Sequence, residues 1–306
     1  MAIITTVFLI GCTDGSDVEN QLDNSLFLLN LPANRWVKYN ELKDGDWWRK
    51  GHAGLAYDST RGSLLVFGSD THGEDWDNVV HEFIPRQREW VHHGVNARPD
   101  TYLINSEGYP VAGDIDQQPW AMHTYDGIDY DPVLDALVVV ASPDHNPIRK
   151  ERPSPQSHPI WIFQLKTKTW SILDKKHGAK RFFGAATAYD KVDNNLFICN
   201  SGLWKLSLTK EKLERLGNAP NCLHRTMAFD SWRRNINIFG SYQGTSNVSR
   251  INIDLLSEEP QNWEELNPKG DHCPPYSKVP VAFDEKAGVF LLVIDDPNSS
   301  IEKKPN

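Results

Sequence analysis

The chain has 306 residues and a formal net charge of −9, from 32 basic and 41 acidic side chains. That balance lacks the bulk positive charge a nucleic-acid binder uses. Its 39 % hydrophobic content, with 11 Trp, 9 Tyr and 12 Phe, is enough to build a core and argues against disorder. No run of about 18 apolar residues occurs, so no membrane-spanning helix is expected.

The predicted elements are almost all short strands, and they begin at once. Val7-Phe-Leu-Ile-Gly11 and the stretch from Asn24 to Trp36 read as the second, third and fourth strands of a blade that lacks its first. Leu9-Ile10-Gly11-Cys12 also matches a lipoprotein cleavage box, but a basic leader is missing and the strand reading accounts for the same residues. Next come Gly54 to Asp58 and Ser63 to Phe67, a hairpin by its alternation and its polar turn, then Val79 to Trp90. A long loop at about 94–121 precedes Gly127 to Asp131 and Ala136 to Val140. The basic, proline-stiffened loop Ser142 to Pro159, carrying Arg149, Lys150 and Arg152, then leads into Ile160 to Trp170. Ala186 to Asp190 with Asn195 to Ile198 precedes a shortened pair, Leu203 to Leu208 and on to Leu213. Thr226 to Asp230 with Asn235 to Phe239 is followed by Val248 to Asp254 and Trp263. Val281 to Asp284 and Gly288 to Val293 close the series.

The hairpins are copies of one another. Each first strand ends in an aromatic residue followed by Asp, at Tyr57, Tyr130, Tyr189, Phe229 and Phe283. Asp at that point satisfies turn amides. A Trp usually closes the fourth strand, as at Trp36, Trp90, Trp170 and Trp263, and once per repeat it is a packing residue. Four strands at this period make one propeller blade whose faces pack on its neighbours. The apolar strand before a small-residue turn (Val66-Phe-Gly68, Ile238-Phe-Gly240), the aromatic-Asp turn and the Trp-closed blades together resemble the kelch-type β-propeller, the fold also used by the central domain of galactose oxidase. The double glycine of that family is a single Gly here. The resemblance implies an all-β, kelch-like propeller of four-stranded blades, about five to seven in number, forming one domain over 1–306. Blades fall at about 3–40 (partial), 51–93, 122–173, 182–217, 223–266 and 276–296 (partial), before a polar tail at 297–306. A ring of three, sixteen and two strands leaves one strand unpaired, which predicts that the chain is a fragment of a longer protein.

Propeller ligands bind where the fourth-to-first and second-to-third strand loops open on one face of the ring. Five residues before each repeat aromatic stand His52, Tyr125, Gly184, His224 and Lys278; seven before stand Lys50, His123, Phe182, Cys222 and Tyr276. Both offsets share one strand parity, which predicts that all point into the mouth. Arg181 and Arg225 add positive charge out of phase. Trp47, Trp48 and Trp120 fall outside the repeat and are candidate sugar-stacking platforms or plugs.

Met122-His123-Thr124-Tyr125-Asp126-Gly127 is similar to the His-Thr-Tyr segment of propeller polysaccharide lyases such as the ulvan lyases. That resemblance implies β-elimination on a uronate, with His123 or His52 as base and Tyr125 as acid. Arg181, Arg225 or Lys278 would clamp the carboxylate, and His224, Tyr276 and Trp120 would line the substrate. The rival reading is a non-catalytic kelch-type scaffold for a carbohydrate or a protein partner. Galactose oxidase chemistry is not expected, since no motif gathers two Tyr, two His and a Tyr-linked Cys, and the sialidase box is absent. No cofactor is required. Cys222, His224, His272 and Cys273 offer a zinc donor set, with a Cys222–Cys273 disulfide or free buried thiols as alternatives. Four cysteines leave the compartment open, with an extracellular or periplasmic one favoured.

Overall fold

The computed structural model describes residues 51–73, 75–113, 118–143, 146–151, 158–173, 182–240, 248–256, 262–266 and 280–293. Within them lie four antiparallel sheets of four strands, each in simple chain order. The first holds Gly54–Asp58, Ser63–Phe67, Val80–Ile84 and Glu89–His93; the second Ile128–Asp131, Ala136–Val139, Ile160–Gln164 and Thr169–Leu173. The third holds Ala186–Asp190, Asn195–Cys199, Leu203–Ser207 and Lys212–Gly217; the fourth Thr226–Asp230, Asn235–Phe239, Val248–Asn252 and Glu264–Leu266. A fifth sheet has two described strands, Val281–Asp284 and Val289–Leu292. The first strands of successive sheets stand side by side, so the sheets are the blades of a β-propeller. No α-helix occurs among the described residues, and none there is long and apolar enough to cross a membrane. The strands expected near 3–40 lie outside the described residues.

The aromatic-Asp turn does the same work in all five blades. Asp58 accepts from the amides of Thr60 and Arg61 at 2.8 and 3.0 Å, and Asp131, Asp190, Asp230 and Asp284 each accept from the amide two residues on at 2.7–3.0 Å. Four residues after each Asp the chain turns left-handed, at Gly62, Asp135, Asn194, Arg234 and Gly288. Two of these residues also tie neighbouring blades. The Asp135 carboxylate receives both guanidinium nitrogens of Arg61 at 2.6 Å, and Arg234 reaches Asp190 at 3.0 Å.

Alternation divides each strand between two cores. In Ala136–Val139, Leu137 and Val139 face the first blade and pack with Phe67, Trp161 and Phe163, while Ala136 and Val138 face the third with Leu196 and Ile198. A third cluster, with Phe197, Phe229, Ile236 and Ile238, joins blades three and four. Trp170 packs on Phe67 and Phe163 at 5.0 Å, as a blade-closing packing residue should. The long stretch before the second blade, expected to be a loop, instead forms a small sheet of Leu103–Ile104, Pro110–Ala112 and Gln118–Pro119. Strands of two or three residues, two of them carrying Pro, have no readable alternation.

One buried polar network sits in the first blade. The Ser63 hydroxyl donates to Glu82 at 2.6 Å, the His93 ring lies 2.7 Å from the other Glu82 oxygen, and Lys168 of the second blade stands 3.3 Å from the same His93 nitrogen. Hydrogen bonding to His93 above all, and to Ser63, holds the Glu82 carboxyl at about 2 against the burial that opposes it. A carboxyl depressed in the folded state stabilises above its unfolded value of 4.5 and loses that contribution as pH falls toward about 2. We expect Glu82→Gln to lose about 2–3 kcal/mol near neutrality. In urea unfolding, the gap between wild type and variant should close between those two pH values; a gap that stays constant would contradict the assignment.

Candidate functional site at the ring mouth

The turns that lead into the first strands share one backbone signature. His52, Tyr125, Gly184 and His224 all have left-handed φ, at 61°, 49°, 65° and 60°. For a residue with a Cβ this conformation costs about 1–2 kcal/mol, yet three of the four blades hold a ring side chain in it. The effect is to aim His52, Tyr125 and His224 at one another. Tyr125 lies against His224 with ring centroids 4.9 Å apart and meets His52 edge-on at 5.3 Å.

Behind them stands His123, only 2 % exposed. Its ring stacks on His52 at 4.1 Å, its Nδ1 is 3.1 Å from the Tyr125 hydroxyl, and its Nε2 is 3.3 Å from Thr71 Oγ1. The loop after the second strand of the first blade brings Asp70, with Oδ1 3.3 Å from His52 Nδ1 and 3.9 Å from His123 Nε2. It also brings His72, whose ring is 4.7 Å from that of His123. Phe183, from the third blade, backs Tyr125 at 5.9 Å. Partial burial works against ionisation of Asp70, but His52, the His72 amide and His123 together hold its carboxyl below the usual range. Burial first, and the Asp70 charge second, push the Tyr125 phenol above its ordinary value.

Backbone bonds fix this cluster across blades. The Thr124 hydroxyl accepts from the Gly54 amide at 2.7 Å and donates to the Phe67 carbonyl at 2.6 Å, while the amides of Thr124 and Tyr125 both donate to the His52 carbonyl at 3.0 Å. Gly54 has to be glycine, because a Cβ there would stand 2.4 Å from the Tyr125 carbonyl oxygen. Asp126 reaches further round the ring. Its carbonyl accepts from the Thr187 amide at 3.1 Å and its carboxyl from the Met227 amide at 2.8 Å, and burial holds that carboxyl well above the usual range.

Four of the predicted site residues, His52, His123, Tyr125 and His224, therefore meet. Several others do not. Phe182 and Cys222 are buried like His123, so the seven-residue offset does not point into the mouth: the left-handed backbone at the five-residue offset itself breaks the strand alternation that the parity argument assumed. Because of that burial, His123 meets the mouth through the Tyr125 hydroxyl. Arg225 is engaged by its own blade, donating to the Ile238 carbonyl at 3.0 Å and to Ser249 Oγ at 3.3 Å, so it is not the carboxylate clamp expected of it. Trp120 is fully buried, stacked on Tyr102 at 5.4 Å with its indole N–H on the Val111 carbonyl at 2.8 Å, so no sugar can stack on it. It is the plug of a small core that also receives Ile148 from the basic loop. Cys222 is bonded to Cys199 with Cα atoms 5.9 Å apart, which removes it from the zinc set and from a pairing with Cys273. Arg181, His272, Cys273, Tyr276 and Lys278 lie outside the described residues. Asp70, His72 and Phe183 were missed. The first two were within reach, since their loop opens on the face already singled out and carries the sequence Ser-Asp-Thr-His.

No protein-family profile and no curated protein matches this chain. Among solved structures, a GH74 enzyme from Niastella koreensis is similar at 10 % identity and a TM-score of 0.43, over 72 % of this chain and 30 % of the other. An auxiliary nutrient binding protein from Bacteroides ovatus ATCC 8483 is similar at 11 % identity and a TM-score of 0.42, over 72 % of this chain and 42 % of the other. This chain thus spans less than half the length of either. Likenesses this shallow carry no argument about what this protein does.

Proposed function

We propose that this protein binds an acidic, uronate-containing polysaccharide at the ring mouth and cleaves it by β-elimination. The observation that carries the reading is the pairing of Tyr125 with His224 across the mouth, at two turns whose shared left-handed backbone brings the two rings together. Elimination needs a base for the proton α to the carboxylate and an acid at the departing oxygen. The His224 imidazole takes the α proton, and the C–H electron pair becomes the new carbon–carbon double bond. The bond to the departing sugar oxygen breaks as the Tyr125 phenol gives that oxygen its proton. His123 positions the phenol through Nδ1. In a chain with net charge −9 the mouth needs local positive charge for an acidic polymer, and Arg181 and Lys278 remain the side chains proposed for that. Gly68 and Gly240, both at positive φ after the second strand of their blades, favour a ring of the kelch type. A disulfide joining Cys199 to Cys222 favours an extracytoplasmic, oxidising compartment.

The test is a panel of uronate and neutral polysaccharides incubated with the protein and followed by ultraviolet absorbance of the unsaturated uronate product. A rise confined to uronate polymers is expected. A flat response across the panel, with the polymers retained on immobilised protein, would replace the lyase by a carbohydrate-binding scaffold.

A further inference from the structure

We propose that His52, Asp70 and His123 hold one divalent first-row transition ion, of the zinc or manganese kind, at the ring mouth. Each offers one ligand atom, and these atoms lie within 4.8 Å of one another. His52 Nδ1 is 3.3 Å and His123 Nε2 3.9 Å from the same carboxylate oxygen. These gaps are long for direct hydrogen bonds. The first matches the separation of about 3.0–3.5 Å that two donors show when each sits about 2.0–2.2 Å from a shared ion, and the second is only slightly wider.

Two further observations point the same way. His52 Nδ1 is buried, and Asp70 Oδ1, against which the left-handed backbone holds it, is at 3.3 Å too poorly aligned to satisfy it as a hydrogen-bond partner. An ion would satisfy it. His123 has its second nitrogen, Nδ1, 3.1 Å from the Tyr125 hydroxyl, the outer contact that fixes ring orientation and tautomer in metal-bound imidazoles. Two imidazoles and one carboxylate form a donor set for transition ions; calcium and magnesium prefer all-oxygen cages.

Three protein ligands leave coordination positions open toward the mouth, where His52 and Asp70 are part-exposed. The ligand class that fits there is an anionic oxygen, such as a uronate carboxylate. This last step rests on the proposed function; the metal site does not. The ion would supply the local positive charge that Arg225, turned to its own blade, does not.

The experiment uses tag-free protein, stripped with a chelator, desalted, and titrated with zinc chloride, manganese chloride or calcium chloride in the absence of polysaccharide. Elemental analysis of bound metal and the thermal midpoint are read together. One equivalent of zinc or manganese with a raised midpoint is expected, and no such rise with calcium. His52→Ala and Asp70→Ala, both at part-exposed positions and so safer for folding than His123→Ala, should each weaken binding about tenfold or more. A full equivalent retained by both variants, or no uptake by folded wild type, would overturn the site. Metal bound by a protein that leaves every polymer intact counts against the lyase reading alone. Cleavage undiminished in the stripped protein overturns the carboxylate-holding role.

Discussion

Tyr125→Phe is expected to lower turnover on a uronate polymer by about 10²–10⁴-fold, the usual contribution of a positioned acid, while leaving the protein folded. Phenylalanine keeps the ring that contacts His224, His52 and Phe183 and removes only the hydroxyl that faces His123 Nδ1. The loss should appear in kcat with little change in KM, because the proton is delivered as the bond breaks and not on binding. Circular dichroism and the thermal midpoint serve as the check on folding. A Tyr125→Phe protein that turns over at the wild-type rate would remove the phenol from the mechanism. His123→Gln should follow Tyr125→Phe in direction, since His123 Nδ1 positions the phenol that delivers the proton.

The second large effect falls on stability. Replacing Cys199 and Cys222 together by serine is expected to cost about 3 kcal/mol, the chain-entropy value for closing a loop of this size, given that the two lie 23 residues apart. Cys199 ends the second strand of the third blade, and Cys222 precedes the fourth blade by way of His224. The bond therefore anchors the turn that presents the proposed base. Urea or thermal unfolding of the double variant should show the loss, and wild type treated with a thiol reagent under denaturing, non-reducing conditions should leave both positions unlabelled. A double variant as stable as wild type would mean that the native contacts around the pair already fix this turn.

The strands of the hairpins were legible because they meet two conditions at once. Leu137 and Val139 face one neighbouring blade and Ala136 and Val138 the other, so alternation and apolarity coexist, and the Asp that ends each first strand is bound to its own turn amides for a local reason. The positions of His52, Tyr125 and His224 followed from counting back along that repeat. What the counting could not convey is the left-handed turn at each of them, since His and Tyr are poor guides to positive φ. That turn breaks strand parity, which is why Phe182 and Cys222 face inward. For Trp120 the sequence allows either a sugar platform or a plug, because an aromatic outside the repeat looks free until its packing partner is known, and Tyr102 lies 18 residues away. Arg225 was misjudged in the same way, its partners Ile238 and Ser249 belonging to later strands of its blade. The Cys199–Cys222 bond could have been found by laying strand ends side by side, because the end of one second strand and the approach to the next blade open on the same face.

The most direct test of elimination at this mouth is the mass of the fragments released from a defined uronate oligosaccharide. β-Elimination leaves one new end unsaturated and adds no water, so that fragment should be lighter by one water than the saturated sugar, and it should vanish in the Tyr125→Phe protein. Fragments that have all gained water would identify hydrolysis and contradict the roles given to His224 and Tyr125.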